Sequence, residues 1–322
     1  MEIWLNILLL LLGFGLLIEG PSQFLEGTSS LAQKYKLSEV TLGLSLVAFT
    51  TSVPELTVSI VAHLYGETDV VFANIIGSNN FNLLFILGLT ALISPIMINR
   101  NNIWRDIPYA LIVTVMLFVL VNDAYFFGKE YADTLSFLEA GLIFLLFIVF
   151  LLYLVTHEPE ENELLVTEVK ELPALLIFED IVVGMVTITA GGYLTVTQSL
   201  EISQYIGKST EFIAIFILAT GTSLPELVTS IMAVRKKRMD IVFSNVTGSN
   251  IFNIVFILPV TRLMGKMPYH YHLNTDLIVQ IMAIVLVFLF SHTQRKKLLS
   301  RFEGGMLMLI FIVYMTFVYV RG

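Results

Sequence analysis

Long apolar runs separated by short polar segments fill the chain. "IWLNILLLLLGFGLLI" (3–18), "GLIFLLFIVFLLYLV" (141–155) and "LIVQIMAIVLVFLF" (277–290) are three of them. A helix needs about 20 apolar residues to cross the hydrocarbon core of a bilayer. The pattern predicts ten helical spans, near 3–33 (interrupted around Gly20-Pro21), 38–63, 69–93, 106–122, 134–155, 173–205, 210–234, 239–263, 274–292 and 302–320. The first run follows Glu2 rather than a basic segment, and no small-residue cleavage site comes after residue 18. It reads as a retained helix and not as a signal peptide.

Composition strengthens this picture. The chain of 322 residues is 56% hydrophobic, with a mean hydropathy of +0.84, more apolar and less charged than a soluble domain. With no cysteine, disulfides and thiol chemistry are excluded. The net charge of −8 matters less than where the cations fall. With the N-terminus outside, loops on one side receive Lys34, Lys36, Arg100, Arg105, Lys170, Arg235, Lys236, Lys237, Arg238, Arg295, Lys296, Lys297 and Arg301. The other side receives Lys129, Lys208, Arg262, Lys266 and Arg321, so the split is 13 against 5. The positive-inside rule then expects both termini outside a cell membrane. An odd number of spans would spoil the asymmetry. The acidic segment "THEPEENELLVTEVKEL" (156–172) lacks the Asp/Gly spacing of a calcium loop and reads as a solvated cytoplasmic linker.

The two halves repeat. At an offset of 171 residues, "TSVPELTVSI" (51–60) falls on "TSLPELVTSI" (222–231) with seven of ten positions identical. At the same offset "FANIIGSNNFN" (72–82) falls on "FSNVTGSNIFN" (243–253), with seven identities in eleven positions. Five spans separate equivalent positions, so the copies cross in opposite directions. The expected fold is an all-α polytopic membrane protein of two inverted five-helix repeats. The N-terminal repeat is 1–155, with its motif at about 42–89; the C-terminal repeat is 173–322, with its motif at about 213–260. Secondary transporters built this way bind their substrate at the midplane, where the repeats meet.

Each motif sets a proline beside a carboxylate inside an apolar run. A proline within a helix strips the carbonyl four residues earlier of its donor. By this reading Pro54 frees the carbonyl of Thr50, and Pro225 that of Gly221. Thr51 and Ser52 share a helix face with Glu55, as Thr222 and Ser223 do with Glu226. Asn74, Ser78 and Asn82 form a stripe at a spacing of four, repeated by Asn245, Ser249 and Asn253. All these donors are oxygen, which suits hard cations such as calcium or sodium. The absence of Cys, and of His within the motifs, disfavours zinc and copper. Small residues such as Ser59, Ser230, Gly77 and Gly248 are accounted for by close helix packing. Glu55 and Glu226 are not, because an intramembrane carboxylate is costly. Asn245-Val-Thr247 matches a glycosylation sequon but lies within a span. His63, His157, His270, His272 and His292 fall at span ends or in loops, and the "HYH" at 270–272 reads as a wet loop.

These duplicated motifs, "GTSLPELVTS" and "SNVTGSNIFN" with their first-half counterparts, resemble the α-repeats of the cation/calcium exchanger superfamily, and most of all a prokaryotic sodium/calcium exchanger. The resemblance covers the whole chain. It implies calcium extrusion driven by sodium entry through alternating access, with four cation sites at the midplane and no cofactor. The ligands it implies are Thr51, Ser52, Glu55 and the Ala48 carbonyl from the second span, with Ser78 and Asn82 from the third. From the seventh span come Thr222, Ser223, Glu226 and the Ala219 carbonyl, and from the eighth Ser249 and Asn253. Spans one and six would be the pair that slides. The implied partners are calcium, sodium and the lipid bilayer, with no nucleic acid and a monomeric working state.

The chain departs from the family pattern at Thr50, where glycine is usual, and at Ala73 and Ser244. Asn253 stands where some relatives have aspartate; in the potassium-dependent branch that acid is tied to potassium, so its absence argues for potassium independence. Coupling to protons or potassium is the alternative within the class, and a passive cation channel the alternative outside it. No H-E-x-x-H, no G-x-S-x-G and no catalytic aspartate pair occurs within the spans, so no enzyme is expected.

Overall fold

The computed structural model describes residues 3–34, 51–98, 102–128, 132–156, 173–237, 239–293 and 298–322. Along the chain stand α1 (Ile3–Lys34), α2 (Val53–Leu64), α3 (Thr68–Ile93), α4 (Ile103–Leu120), α5 (Phe137–Thr156) and α6 (Ala174–Ile206). They are followed by α7 (Thr210–Thr222), α8 (Leu224–Arg235), α9 (Ile241–Arg262), α10 (Asn274–Thr293) and α11 (Arg301–Arg321). Among the described residues seven helices are long and apolar enough to cross a membrane. The helices α7 and α8 pass the same test together, as a span bent by 42°, and α2 and α5 supply shorter apolar segments.

Burial sorts these helices into a centre and a rim. The most apolar window of α3 is 94% buried, against 33% for α1 and 22% for α6. Polar residues in α3 therefore face protein on all sides. The outer helices show Trp4, Leu8, Phe178 and Val186 on their exposed faces, as lipid contact requires.

The long helices α1 and α6 pack side by side in opposite directions: Gly13 lies against Thr195, Gly20 against Ile188 and Gly27 against Ile181. The three glycines recur every seventh residue, and Gly184 and Gly191 answer them from α6. A Cβ on Gly20 would stand 2.9 Å from the backbone nitrogen of Ile188, and one on Gly184 would stand 2.7 Å from that of Phe24. Only hydrogen in place of a side chain lets the backbones come this close, the packing mode of membrane helices. The interruption expected at Gly20-Pro21 is absent, and α1 runs through Pro21 as one helix of 32 residues. Proline costs a helix one hydrogen bond, and here packing against α6 on both sides of Pro21 holds the axis together.

Two short antiparallel ties link loops of the two halves. β1 (Ile96–Met97) pairs with β4 (Leu298–Leu299), and β2 (Thr134–Leu135) with β3 (Met267–Pro268). Strands can pair only on one side of a bilayer. The charge pattern puts residues 96–97 and 298–299 on one side, and 134–135 and 267–268 on the other, so both pairings agree with it.

Candidate cation site

The prolines match the expectation in part. Pro54 and Pro225 sit at the second position of new helices, α2 and α8, where a missing N–H costs nothing. Ser52 and Ser223 precede those helices, and Glu55 and Glu226 fall in their first turns. The bend at Ser223 keeps its ladder: Ser223 N–H donates to the Ala219 carbonyl at 3.2 Å, and Leu227 N–H to the Ser223 carbonyl at 3.2 Å. The break thus aims a carboxylate inward, while Pro225, having no N–H, gives the Gly221 carbonyl no donor four residues on.

Glu55 and Glu226 are each 0% exposed. Ser223 Oγ donates to Glu55 Oε1 at 3.1 Å, across the halves, and Ser249 Oγ donates to Glu226 Oε1 at 3.1 Å. The second oxygen of each carboxylate, Oε2, is buried without a hydrogen-bond partner, as is Ser52 Oγ. An unpartnered buried oxygen on an ionised group is expensive, so two at equivalent positions make this cluster the candidate cation site.

The hydroxyls repeat the symmetry of the sequence. Thr51 Oγ1 and Ser249 Oγ lie 3.5 Å apart, and their counterparts Thr222 Oγ1 and Ser78 Oγ lie 3.4 Å apart. The Ala219 carbonyl accepts from Ser78 Oγ at 3.3 Å and from Thr222 Oγ1 at 3.4 Å. These contacts are long. Asn74 Oδ1 accepts from Thr222 at 3.4 Å, and Asn245 Nδ2 donates to the Glu226 carbonyl and to Ser230 Oγ, both at 3.3 Å. Asn82 and Asn253 are buried at the starts of equivalent π turns, in Phe81–Ile86 and Asn253–Ile257. A π turn adds one residue to the helix and often marks a functional place.

Of the residues the sequence singles out, Thr51, Ser52, Glu55, Ser78, Asn82, Ala219, Thr222, Ser223, Glu226, Ser249 and Asn253 are all buried in this part of the molecule. Ala48 lies outside the described residues, as do Thr50 and the linker residues 157–172. Among the described residues no three His, Asp or Glu side chains gather as a metal site. The donor set is two carboxylates among hydroxyls and amides, the shell of a hard cation.

Sequence reasoning missed other buried polar groups. Asn79 and Asn250 bond across the halves. Asn80 Nδ2 donates to the Asp276 carbonyl at 3.0 Å. Asp276, itself buried, accepts from Tyr314 Oη at 2.9 Å and from Arg321 Nη1 at 2.7 Å. The available signal was a carboxylate, Asp276, at the head of an apolar run. At the end of the bundle that carries His270, Asp69 Oδ1 meets His270 Nδ1 at 2.6 Å. Nearby, partial burial and then the charges of Asp69 and Glu211 raise the Glu67 carboxyl above its usual range.

A family model described as sodium/calcium exchanger protein matches residues 5–156 and 180–320. The putative antiporter CaxA of Alkalimonas amylolytica is 31% identical over 313 residues, covering 94% of this chain and 95% of that protein. The sodium/calcium exchanger MaX1 of Methanosarcina acetivorans is 30% identical over 352 aligned positions, covering 98% of each. Among solved structures, the sodium-calcium exchanger NCX_Mj, soaked with sodium and strontium, superposes with a TM-score of 0.66 at 26% identity, covering 98% of this chain and 99% of that one. With the duplicated motifs brought together in one buried, oxygen-lined cluster, the chain belongs to the sodium/calcium exchanger family.

Proposed function

We propose that the protein is a secondary active antiporter that exchanges sodium for calcium across the cell membrane by alternating access. One observation carries the reading: Glu55 and Glu226, from equivalent positions of the two halves, are fully buried and each keeps an oxygen without a partner. Two carboxylates balance the two charges of calcium, and the hydroxyls of Thr51, Ser52, Ser78, Thr222, Ser223 and Ser249 with the amide oxygens of Asn82 and Asn253 complete an oxygen shell. The Ala219 carbonyl joins it by exchanging its long hydroxyl contacts for an ion, and Ala48 is its counterpart. Sodium ions compete for the same oxygens. Binding of one cargo therefore excludes the other, as strict exchange requires.

In this reading the ten spans form two inverted five-helix repeats, 1–155 and 173–322, joined by a cytoplasmic linker, with both termini outside. What supports it is the 171-residue offset relating the two hydroxyl pairs, the antiparallel packing of α1 on α6, and the two strand ties. The helices α1 and α6 move as a pair past the core, with Phe14 of α1 against Gly221 at the α7 break. The cargo is calcium and sodium, the surroundings are lipid, and one chain holds the whole site.

The test is equilibrium calcium binding to the purified protein, titrated with sodium, with potassium and with acid. Competitive displacement by sodium is expected, with potassium at the same ionic strength leaving binding unchanged. Displacement by potassium, or by protons alone, would transfer the coupling to that ion.

A further inference from the structure

We infer that Asn79 and Asn250 are positioning residues that decide which end of the Asn82 and Asn253 amides faces the cation. An asparagine amide can turn either its oxygen or its NH2 toward a site. For a cation ligand the choice is decisive, because one end attracts and the other repels. In an isolated amide pair either orientation satisfies the bond. Here backbone carbonyls remove the freedom.

Asn250 Nδ2 donates to the Asn79 carbonyl at 3.1 Å, and Asn79 Nδ2 donates to the Asn250 carbonyl at 3.3 Å. A backbone carbonyl only accepts, so both amides must present NH2 to it. Asn250 Oδ1 is thereby left as an acceptor, and Asn82 must meet it with Nδ2, at 3.0 Å. In the same way Asn79 Oδ1 is left as an acceptor for Asn253 Nδ2, also at 3.0 Å. The only ends left over are Asn82 Oδ1 and Asn253 Oδ1, and both are buried without a partner. Asn79 and Asn250, with their two backbone carbonyls, thus form a closed ring between α3 and α9 on which Asn82 and Asn253 hang. Its logic runs one way, from backbone to Asn79 and Asn250, and from these to Asn82 and Asn253. The ring also joins the halves, since each bond in it crosses from one to the other.

This inference rests on the exchanger reading only in taking Asn82 and Asn253 as calcium ligands. It is tested on full-length protein in detergent, with calcium itself as the probe and affinity measured by equilibrium dialysis. Asn250→Leu keeps the side chain's size and removes both of its bonds, leaving the Asn82 amide free to turn. Calcium affinity is expected to fall about tenfold, the equivalent of a lost hydrogen bond to a charged partner, and Asn82→Ala should cost a similar factor.

The double variant separates positioning from structural support. If Asn250 acts through Asn82, then Asn82→Ala with Asn250→Leu is no worse than Asn82→Ala alone, about tenfold short of the product of the two effects. Asn253→Ala with Asn250→Leu should give close to the product. The mirror cycle, Asn79→Leu with Asn253→Ala, should behave like the first. Full multiplication in both same-arm cycles would overturn the inference, as would an Asn250→Leu protein with unchanged affinity. Loss of folding in both leucine variants, read by size exclusion, would make the ring a structural brace and overturn it too. Failure of the underlying reading looks different: wild-type protein would not bind calcium, or Asn82→Ala alone would leave affinity untouched.

Discussion

At the scale of single residues, the account turns on charge in a place that water does not reach. Replacing Glu55 or Glu226 by glutamine leaves a bound divalent ion short of one negative charge, at a cost of several kcal/mol. Each 1.4 kcal/mol is tenfold in affinity, so calcium affinity should fall about a hundredfold or more in either variant. Binding and size exclusion on the same sample check this, and near-normal affinity would remove that carboxylate from the ligand set. Only the ionised carboxylate is a good calcium ligand, so protons and calcium compete for the same oxygens. The half-saturating calcium concentration should rise as pH falls, while the rate at saturating calcium changes less; a profile flat from mildly acid to mildly alkaline pH would contradict the shared site. Much of this site was readable in advance. Glu55, Ser78 and Asn82 and their counterparts stand out because the bilayer makes each polar residue in a span costly, and because duplication repeats the signal. Asn79 and Asn250 also repeat, but their role depends on which backbone carbonyls they meet, and spacing along one helix does not encode that.

At the scale of elements, the close mesh of α1 and α6 predicts that the two travel together. A Cβ on Gly13 would lie 3.0 Å from the Thr195 backbone nitrogen and 3.1 Å from the Gly191 carbonyl, so Gly13→Leu should force α1 and α6 apart and strongly reduce calcium flux. The chain has no cysteine, so introduced pairs are the only thiols. A disulfide between Phe14→Cys and Gly221→Cys ties α1 to the core and should stop flux until it is reduced. Flux measured in the leucine variant, and before and after reduction in the cysteine pair, decides, and unimpaired flux in either would contradict a moving α1–α6 pair. Prolines were the weakest guide to the elements. Pro21 signalled a break that packing against α6 suppresses. Pro54 and Pro225 signalled real breaks, but as helix starts rather than interior kinks, since a local rule carries no information on which side of the proline the helix resumes.

At the scale of the whole molecule, alternation of span direction fixes which loops share a side. The β1–β4 and β2–β3 ties should lie on opposite faces of the membrane. A thiol reagent that does not cross the bilayer should label Lys266→Cys in intact cells and Lys237→Cys only after permeabilisation; the opposite pattern would invert the assigned topology. Apolar run length led to ten expected spans, of which seven among the described residues, or eight with the bent α7–α8 pair, are helices long and apolar enough to cross; the placement of Lys and Arg led to the directions that the labelling tests. Where the two halves touch could not be read in advance, since it depends on glycine contacts between segments about 170 residues apart. The central claim is that one shared site couples two ions, and flux tests it most directly. Proteoliposomes loaded with sodium are diluted into sodium-free calcium medium, beside vesicles given only a potassium or a pH gradient. Calcium should enter against its own gradient in the sodium-loaded vesicles alone, and the Glu226→Gln protein should show no such entry. Entry driven equally well by a pH gradient without sodium, or calcium leaking down its gradient with no counter-ion on the other side, would contradict the account.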